Sequence, residues 1–148
     1  MKFILVFLLT GFVSFGLTGA ESIKSKENSK IESLLANQVN AWNEGDLEKF
    51  METYLKSDKL VFVGSRGPTY GWQATLDNYR KGYPDKKAMG KLYFKIFEIS
   101  KIDRKTFFVI ARFELQREIG DLEGHFTLVI QKTGKNYFII SDHSSSSN

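Results

Sequence analysis

The stretch GHFTLVIQKTGKNYFIISDH, residues 124–143, contains two β-rich runs on either side of a turn. Thr127, Val129, Ile130, Ile139 and Ile140 are β-branched, and Phe126, Tyr137 and Phe138 are aromatic. The intervening TGKN is turn chemistry, so the pattern predicts an antiparallel hairpin. Upstream, KLYFKIFEISKI (91–102) and TFFVIARFELQRE (106–118) have the same character, interrupted at DRK and IGDLEG. Four such runs joined by short turns predict an antiparallel meander. The hairpin also carries both histidines of the chain, His125 and His143, with Asp142 beside the second.

The first half of the chain has a different period. Ile31, Leu34, Leu35, Val39 and Trp42 recur at helical spacing over 29–42, with Ser29 and Glu32 placed as a capping box. Gly45 ends that helix and Asp46 caps a second, shorter one carrying Leu47, Phe50, Met51, Tyr54 and Leu55. KLVFVG (59–64) is expected to form a short strand and SRGPTYG (65–71) a loop. A third helix is expected over 72–83, stopped by Pro84. The serines at the C-terminus are expected to be disordered. Helices first and strands afterwards predict an α+β domain with three helices packed on one face of a bent antiparallel sheet.

The chain has 148 residues, 42% of them apolar and 14% aromatic, which suits one core and one domain over 21–148. Ahead of it, Lys2, the apolar run 3–17 and the small residues Thr18 and Ala20 have the layout of a cleavable export signal, residues 1–20. The apolar run is short for a bilayer span of about 20 residues. The expected mature protein is therefore exported, to a periplasm or the outside, with no membrane attachment. The absence of cysteine excludes disulfides, thiolate metal sites and thiol nucleophiles. Net charge is +4, falling to +3 when Lys2 is removed with the leader, and cations are interleaved with acids, which does not suit nucleic-acid binding.

Alternation along strands allows a trial register. Turns of even length around Gly134–Lys135 and in IGDLEG put Arg112, Glu114, Gln116, His125, Thr127 and Asp142 on one face, and Ala111, Phe113, Leu115, Phe126, Leu128 and Ile130 on the other. An odd last turn would exchange Asp142 for His143. The polar set is either a solvated sheet face or the lining of a pocket closed by helices bearing Trp42, Tyr54, Tyr70, Trp72, Tyr79 and Tyr83. As a pocket it would be an acid/base site: His125 oriented by Asp142 or Glu114, with Arg112 stabilising a developing anion. A metal triad of His125, Asp142 and His143 is disfavoured, because strand neighbours point to opposite faces, and no cofactor is expected.

The motifs AWNEGDLEKFMETY, LVFVGSRGPTYGWQATLDNYRKGYPD, GKLYF, EGHFTLVIQK and SDHSS resemble the SnoaL-like, nuclear transport factor 2-like superfamily, in the branch named domain of unknown function 4440. The resemblance covers about residues 30–145. It implies a cone of bent sheet wrapped by three helices, a pocket at the wide end and frequent dimers through the sheet. It places Tyr70, Trp72, Arg112, His125, Thr127, Asp142 and His143 at the pocket mouth, with Trp42, Tyr54 and Glu114 as further candidate ligand contacts. The implied function is small-molecule binding, with isomerase, dehydratase or hydrolase chemistry that uses no metal or cofactor; the alternative is a non-catalytic association module. A homodimer is expected, with Phe113, Leu115, Phe126 and Leu128 on the pairing side.

The export reading has a direct check. Intact-mass measurement of the natively expressed protein is expected to give a chain beginning at Glu21, and a membrane-bound form retaining residues 1–20 would show the leader to be an anchor instead.

Overall fold

The computed structural model describes residues 18–147. The expected leader lies outside the described residues except for its last three positions. Those open a long helix, α1 (Thr18–Glu44), which is followed by α2 (Leu47–Met51), β1 (Val61–Gly64), β2 (Gly67–Tyr70), α3 (Trp72–Gly82) and α4 (Lys86–Met89). The meander follows as β3 (Lys91–Lys101), β4 (Thr106–Gln116), β5 (Leu122–Thr133) and β6 (Asn136–Ser147). The six strands form one sheet in the order β2-β1-β6-β5-β4-β3. No helix among the described residues is long and apolar enough to cross a membrane.

Asp46 caps α2 as its sequence suggests, its carboxylate accepting from the Lys49 N–H at 2.8 Å. Several expectations change, the first being that α2 ends at Met51 and leaves Tyr54 and Leu55 outside it. Ser29 and Glu32 lie inside α1 and are not its start; Glu27, two residues before Ser29, is buried and bridges Lys101 on β3 (2.7 Å) and Lys132 on β5 (3.0 Å), so the helix is held to the sheet ahead of the expected cap. The segment 65–71 is mostly the strand β2, paired with β1 across a two-residue Ser65–Arg66 turn. The sheet is mixed, since β1 runs parallel to β6. The serine tail is the end of β6, opposite Glu123, Gly124 and His125.

α1 to α3 cover one face of the sheet. Ile31, Leu35 and Trp42 from α1, Phe50 and Met51 from α2 and Leu76 from α3 meet Leu92, Val109, Ala111, Leu115, Phe126, Leu128 and Ile139 from the strands. Each such side chain contributes about 1.5–3 kcal/mol when fully buried. Phe113, Leu115, Phe126 and Leu128, expected on a pairing surface, therefore face the helices. Asn43 pins the far end of α1 by donating to the Leu92 carbonyl (3.1 Å) and accepting from the Leu92 N–H (2.7 Å). Trp42 Nε1 donates to the Met89 carbonyl (3.1 Å) and Trp72 Nε1 to the Met51 carbonyl (2.8 Å), so both tryptophans fasten helix-bearing segments together.

Two bulges bend the sheet. In β3 the pairing passes from Ile96↔Ala111 to Glu98↔Ile110, leaving Phe97 extra. In β6 it passes from Ile139↔Ile130 to Ser141↔Val129, leaving Ile140 extra. The turn joining β5 and β6 is the two-residue Gly134–Lys135 turn taken for the trial register, and the bulge rather than the turn reverses the faces beyond it. At the β5–β6 end the strands approach so closely that a side chain on Gly124 would collide with the Ser145 carbonyl, which explains a glycine in mid-strand.

Candidate functional site

The helices and the concave face of the sheet enclose a cavity of about 370 Å³. Its walls are aromatic: Trp42, Phe50, Tyr79 and Tyr83 from the helices, and Phe113 and Phe126 from the sheet. Trp42 meets Tyr83 edge-on at 4.7 Å and Phe50 at 5.2 Å, so the helical wall is a continuous set of ring contacts.

Asp142 lies in this apolar setting and is 4% exposed. Its place follows from backbone pairing. The Ile139 N–H donates to the Thr53 carbonyl and the Leu55 N–H to the Ile139 carbonyl, both at 2.9 Å, which sets Tyr54 level with Ile139. After the bulge, Asp142 turns to the same side, and the Tyr54 hydroxyl donates to its Oδ2 at 2.7 Å. Ser144, two residues on and so on the same face, donates to Oδ1 at 2.9 Å. Tyr79 stands beside Tyr54 and, like it, is close enough to feel the Asp142 charge.

Burial raises the Asp142 carboxyl to about 6, against the pull of the Tyr54 and Ser144 hydrogen bonds and the nearby His143. The Tyr54 and Tyr79 hydroxyls are raised well above the ordinary tyrosine value, by burial first and then by the Asp142 charge, so they remain proton donors. Tyr83 is raised by burial and drawn back by Arg117, and its hydroxyl has no hydrogen-bond partner among the described residues. The arrangement is a buried carboxyl, raised toward neutral pH, inside an apolar chamber.

Of the candidates drawn from the sequence, Trp42, Tyr54 and Asp142 line the cavity. Arg112, Glu114, His125, Thr127 and His143 share the opposite, convex face of the sheet. Even-numbered residues of β4 do fall with His125 and Thr127, as the trial register had it, but Arg112 pairs with His125 instead of Val129. Asp142 pairs with Leu128, on the concave side, and His143 with Thr127. The expected pairing of His125 with Asp142 is thus not formed: the Ile140 bulge puts the two on opposite faces. Arg112 instead contacts Glu114 (3.1 Å) and Glu123, and His125 stacks on Phe97 at 5.9 Å. Tyr70 is 65% exposed on β2, and Trp72 is taken up by its bond to Met51 and by Lys56 over its ring.

Sequence reading placed Tyr79 and Tyr83 among the helix aromatics without assigning them to the site, although the 72–83 stripe carries both. Ser144 was lost in the expected tail. Arg66 and Arg117, which also line the cavity, sit in turns whose direction no pattern in the sequence reveals.

Comparison with known proteins adds the following. Neither a protein-family model nor a curated protein matches the sequence. Among solved structures, a nuclear transport factor 2-like protein of unknown function from Shewanella oneidensis is 36% identical, with a TM-score of 0.77 over 80% of this chain and 98% of that one. A ketosteroid isomerase-like protein from Erwinia carotovora is similar at 16% identity and a TM-score of 0.65, over 81% of this chain and 95% of that one. A candidate scytalone dehydratase from Novosphingobium aromaticivorans is similar at 11% identity and a TM-score of 0.68, over 86% and 89% respectively. The last two share the fold.

The raised Asp142 carboxyl makes a prediction about stability. A carboxyl that holds its proton more tightly folded than unfolded stabilises the fold below its unfolded value of 3.8, and that stabilisation is lost as pH rises through about 6. Urea unfolding of the parent and of Asp142→Asn should therefore diverge between pH 4 and pH 7, the parent losing about 2–3 kcal/mol relative to the variant. Parallel stability curves would show that Asp142 is not held in its protonated form by burial.

Proposed function

The chain belongs to the nuclear transport factor 2-like family, and from that premise we propose that it binds a small organic molecule in the cavity and moves a proton on it, as an isomerase or dehydratase does. The observation that carries this is Asp142: a carboxyl raised to about 6, hydrogen-bonded to Tyr54 and set in an aromatic chamber. The ketosteroid isomerase-like and dehydratase-like neighbours support the reaction type. Placement in the branch named domain of unknown function 4440 rests on the sequence motifs alone.

In the proposed reaction, ionised Asp142 takes a proton from a carbon next to a carbonyl. The C–H electron pair moves into a carbon–carbon double bond and the carbonyl pair onto oxygen, where Tyr83, with its free hydroxyl, is the available donor. In isomerisation the proton returns from Asp142 to a different carbon as the carbonyl reforms; in dehydration it passes from Asp142 to the hydroxyl on the next carbon, which leaves as water with its C–O electron pair as the carbonyl reforms and the carbon–carbon double bond shifts. Tyr54 and Tyr79 act as a positioning chain. They fix the carboxylate and keep its proton affinity close to the working pH, where general bases are most effective.

Export and self-association complete the proposal. The leader supports export. The convex face offers Tyr93 and Phe97 from β3, Phe108 and Ile110 from β4, Val129 from β5 and Phe138 from β6 beside the Arg112, Glu114 and Glu123 charges. An uncovered face with both apolar and oppositely charged residues suits a second copy related by a two-fold axis. It also takes in the association-module reading, since pairing through the convex face leaves the cavity free.

Two measurements test these readings. With 2-tetralone in heavy water, the parent should speed deuterium uptake next to the carbonyl over buffer, with an acid limb near pH 6. Asp142→Asn should lower that rate by about 10²–10⁴-fold, and Tyr54→Phe should move the limb to higher pH by removing a bond that favours the ionised form. Equal rates for parent and Asp142→Asn would end the acid/base reading. Light scattering of the mature protein should give twice the monomer mass at micromolar concentration, and a monomer mass throughout would end the dimer.

A further inference from the structure

Besides Asp142, two charged residues line the cavity, Arg66 and Arg117. Arg66 is exposed in the β1–β2 turn, and Arg117 opens the β4–β5 turn, two residues after the inward-facing Leu115. Neither forms an ion pair among the described residues, although nearby surface cations do, as in Lys87–Glu118 and Arg80–Glu48. Asp142 is level with Phe62 on β1 and with Leu128 and Val109 across the sheet, whereas Arg66 lies past the end of β1 and Arg117 past the end of β4, so the arginines sit several residues further along the strands than the carboxylate.

Arg117 is held in place. Its Nε donates to the Gly120 carbonyl at 2.7 Å and its backbone N–H to Asp121 Oδ1 at 2.9 Å. Its stem crosses Gly90, where a Cβ would come within 2.5 Å of Arg117 Cγ; Gly90 has φ +60°, so two independent constraints favour glycine there. The guanidinium is close enough to Tyr83 to pull that hydroxyl's proton affinity down. A guanidinium fixed at the rim of an apolar chamber without a carboxylate partner is a ready site for an anion.

We propose that the cavity takes an organic carboxylate: a ring-bearing acid whose rings fill the aromatic chamber, whose carboxylate is held by Arg66 and Arg117 at the mouth, and whose reacting carbon reaches Asp142. This rests on the acid/base reading of the same cavity and adds the substrate class. The volume of about 370 Å³ equals roughly a dozen waters and suits two fused rings. The two charge types are separated along the strands, so the anionic group of the ligand is kept away from the base that must ionise.

The test uses a matched pair of probes, 2-naphthoate and 2-naphthamide, titrated against the mature protein at pH 7.5 by calorimetry. The parent is expected to bind the acid at least about tenfold more tightly than the amide at low salt, with the gap narrowing as sodium chloride is added. The double variant Arg66→Met, Arg117→Met should bind both alike while keeping the parent's melting temperature, and Arg117→Lys should retain part of the preference. Equal binding of the two probes by the parent, no binding of either, or a preference that survives the double variant would overturn the proposal. Asp142→Asn separates the two readings: it should abolish deuterium exchange and leave the acid preference intact. If exchange never depended on Asp142 while the preference followed the arginines, the anion site would stand and the acid/base reading would fall.

Discussion

One extra residue in β6 sets the chemistry of this molecule. Ile140 has no counterpart in β5, so every side chain after it is transferred to the other face of the sheet. Ile139 before the bulge and Asp142 after it both face the helices, and Ser144 and Ser146 follow on the same side. The bulge is fixed from both flanks: Thr53 and Leu55 bond Ile139 just before it, and β1 pairs with Ser141, Asp142 and His143 just after it. The same flanking contacts bring in Tyr54, so the carboxylate and its principal hydrogen-bond donor are positioned by a single backbone arrangement.

Burial of that carboxylate costs free energy, and the surroundings offset only part of the cost. Two hydroxyl donors, from Tyr54 and Ser144, satisfy both oxygens, but among the described residues no lysine or arginine pairs with Asp142, and the carboxyl still rises to about 6. The contrast with Glu27 is informative. Glu27 is also buried, yet Lys101 and Lys132 hold it below the ordinary carboxylate range. Glu27 meets the requirement for a permanent charge anchoring α1 to the sheet, whereas Asp142 meets the requirement for a group that gains and loses a proton. The fold thus places one buried acid at each kind of task, and the neighbouring cations decide which.

Much of the architecture could be read from periodicity, because burial on one face imposes a 3.6-residue rhythm on helices and a two-residue rhythm on strands. The meander and the 72–83 helix follow from that, the Asp46 cap follows from its side chain ahead of an apolar stripe, and an even turn at Gly134–Lys135 is the assumption on which the trial register rests. The site was harder to read because a bulge breaks the two-residue rhythm without leaving an unambiguous mark. Ile96 and Ile99, both facing the core at a spacing of three, show the β3 bulge once the register is known. In β6 the corresponding pair is Ile139 and Asp142, and an aspartate does not announce itself as a core residue. His125 is a rare titratable side chain, yet it is exposed beside Phe97, while Tyr54, a candidate from the sequence, lines the cavity together with Tyr79 and Tyr83 from the expected helix aromatics. The serine tail was misjudged for a related reason: its side chains carry no apolar signal, and its order comes from pairing with the 123–125 backbone.

Dividing the sheet into two faces also separates the functions the molecule can carry. Every residue of β5 is committed by parity either to the chamber, as Phe126 is, or to the convex surface, as His125 and Thr127 are. A substitution on the convex side reaches the cavity only by shifting a strand, and the strands are fixed by Gly124 against Ser145 and by Asn43 against Leu92. The proposed self-association on one side and the proposed proton transfer on the other therefore place few conflicting demands on the same side chains. The link between them is β6, which carries Phe138 outward, Asp142 inward, and between them the single bulge that makes both orientations possible in one strand.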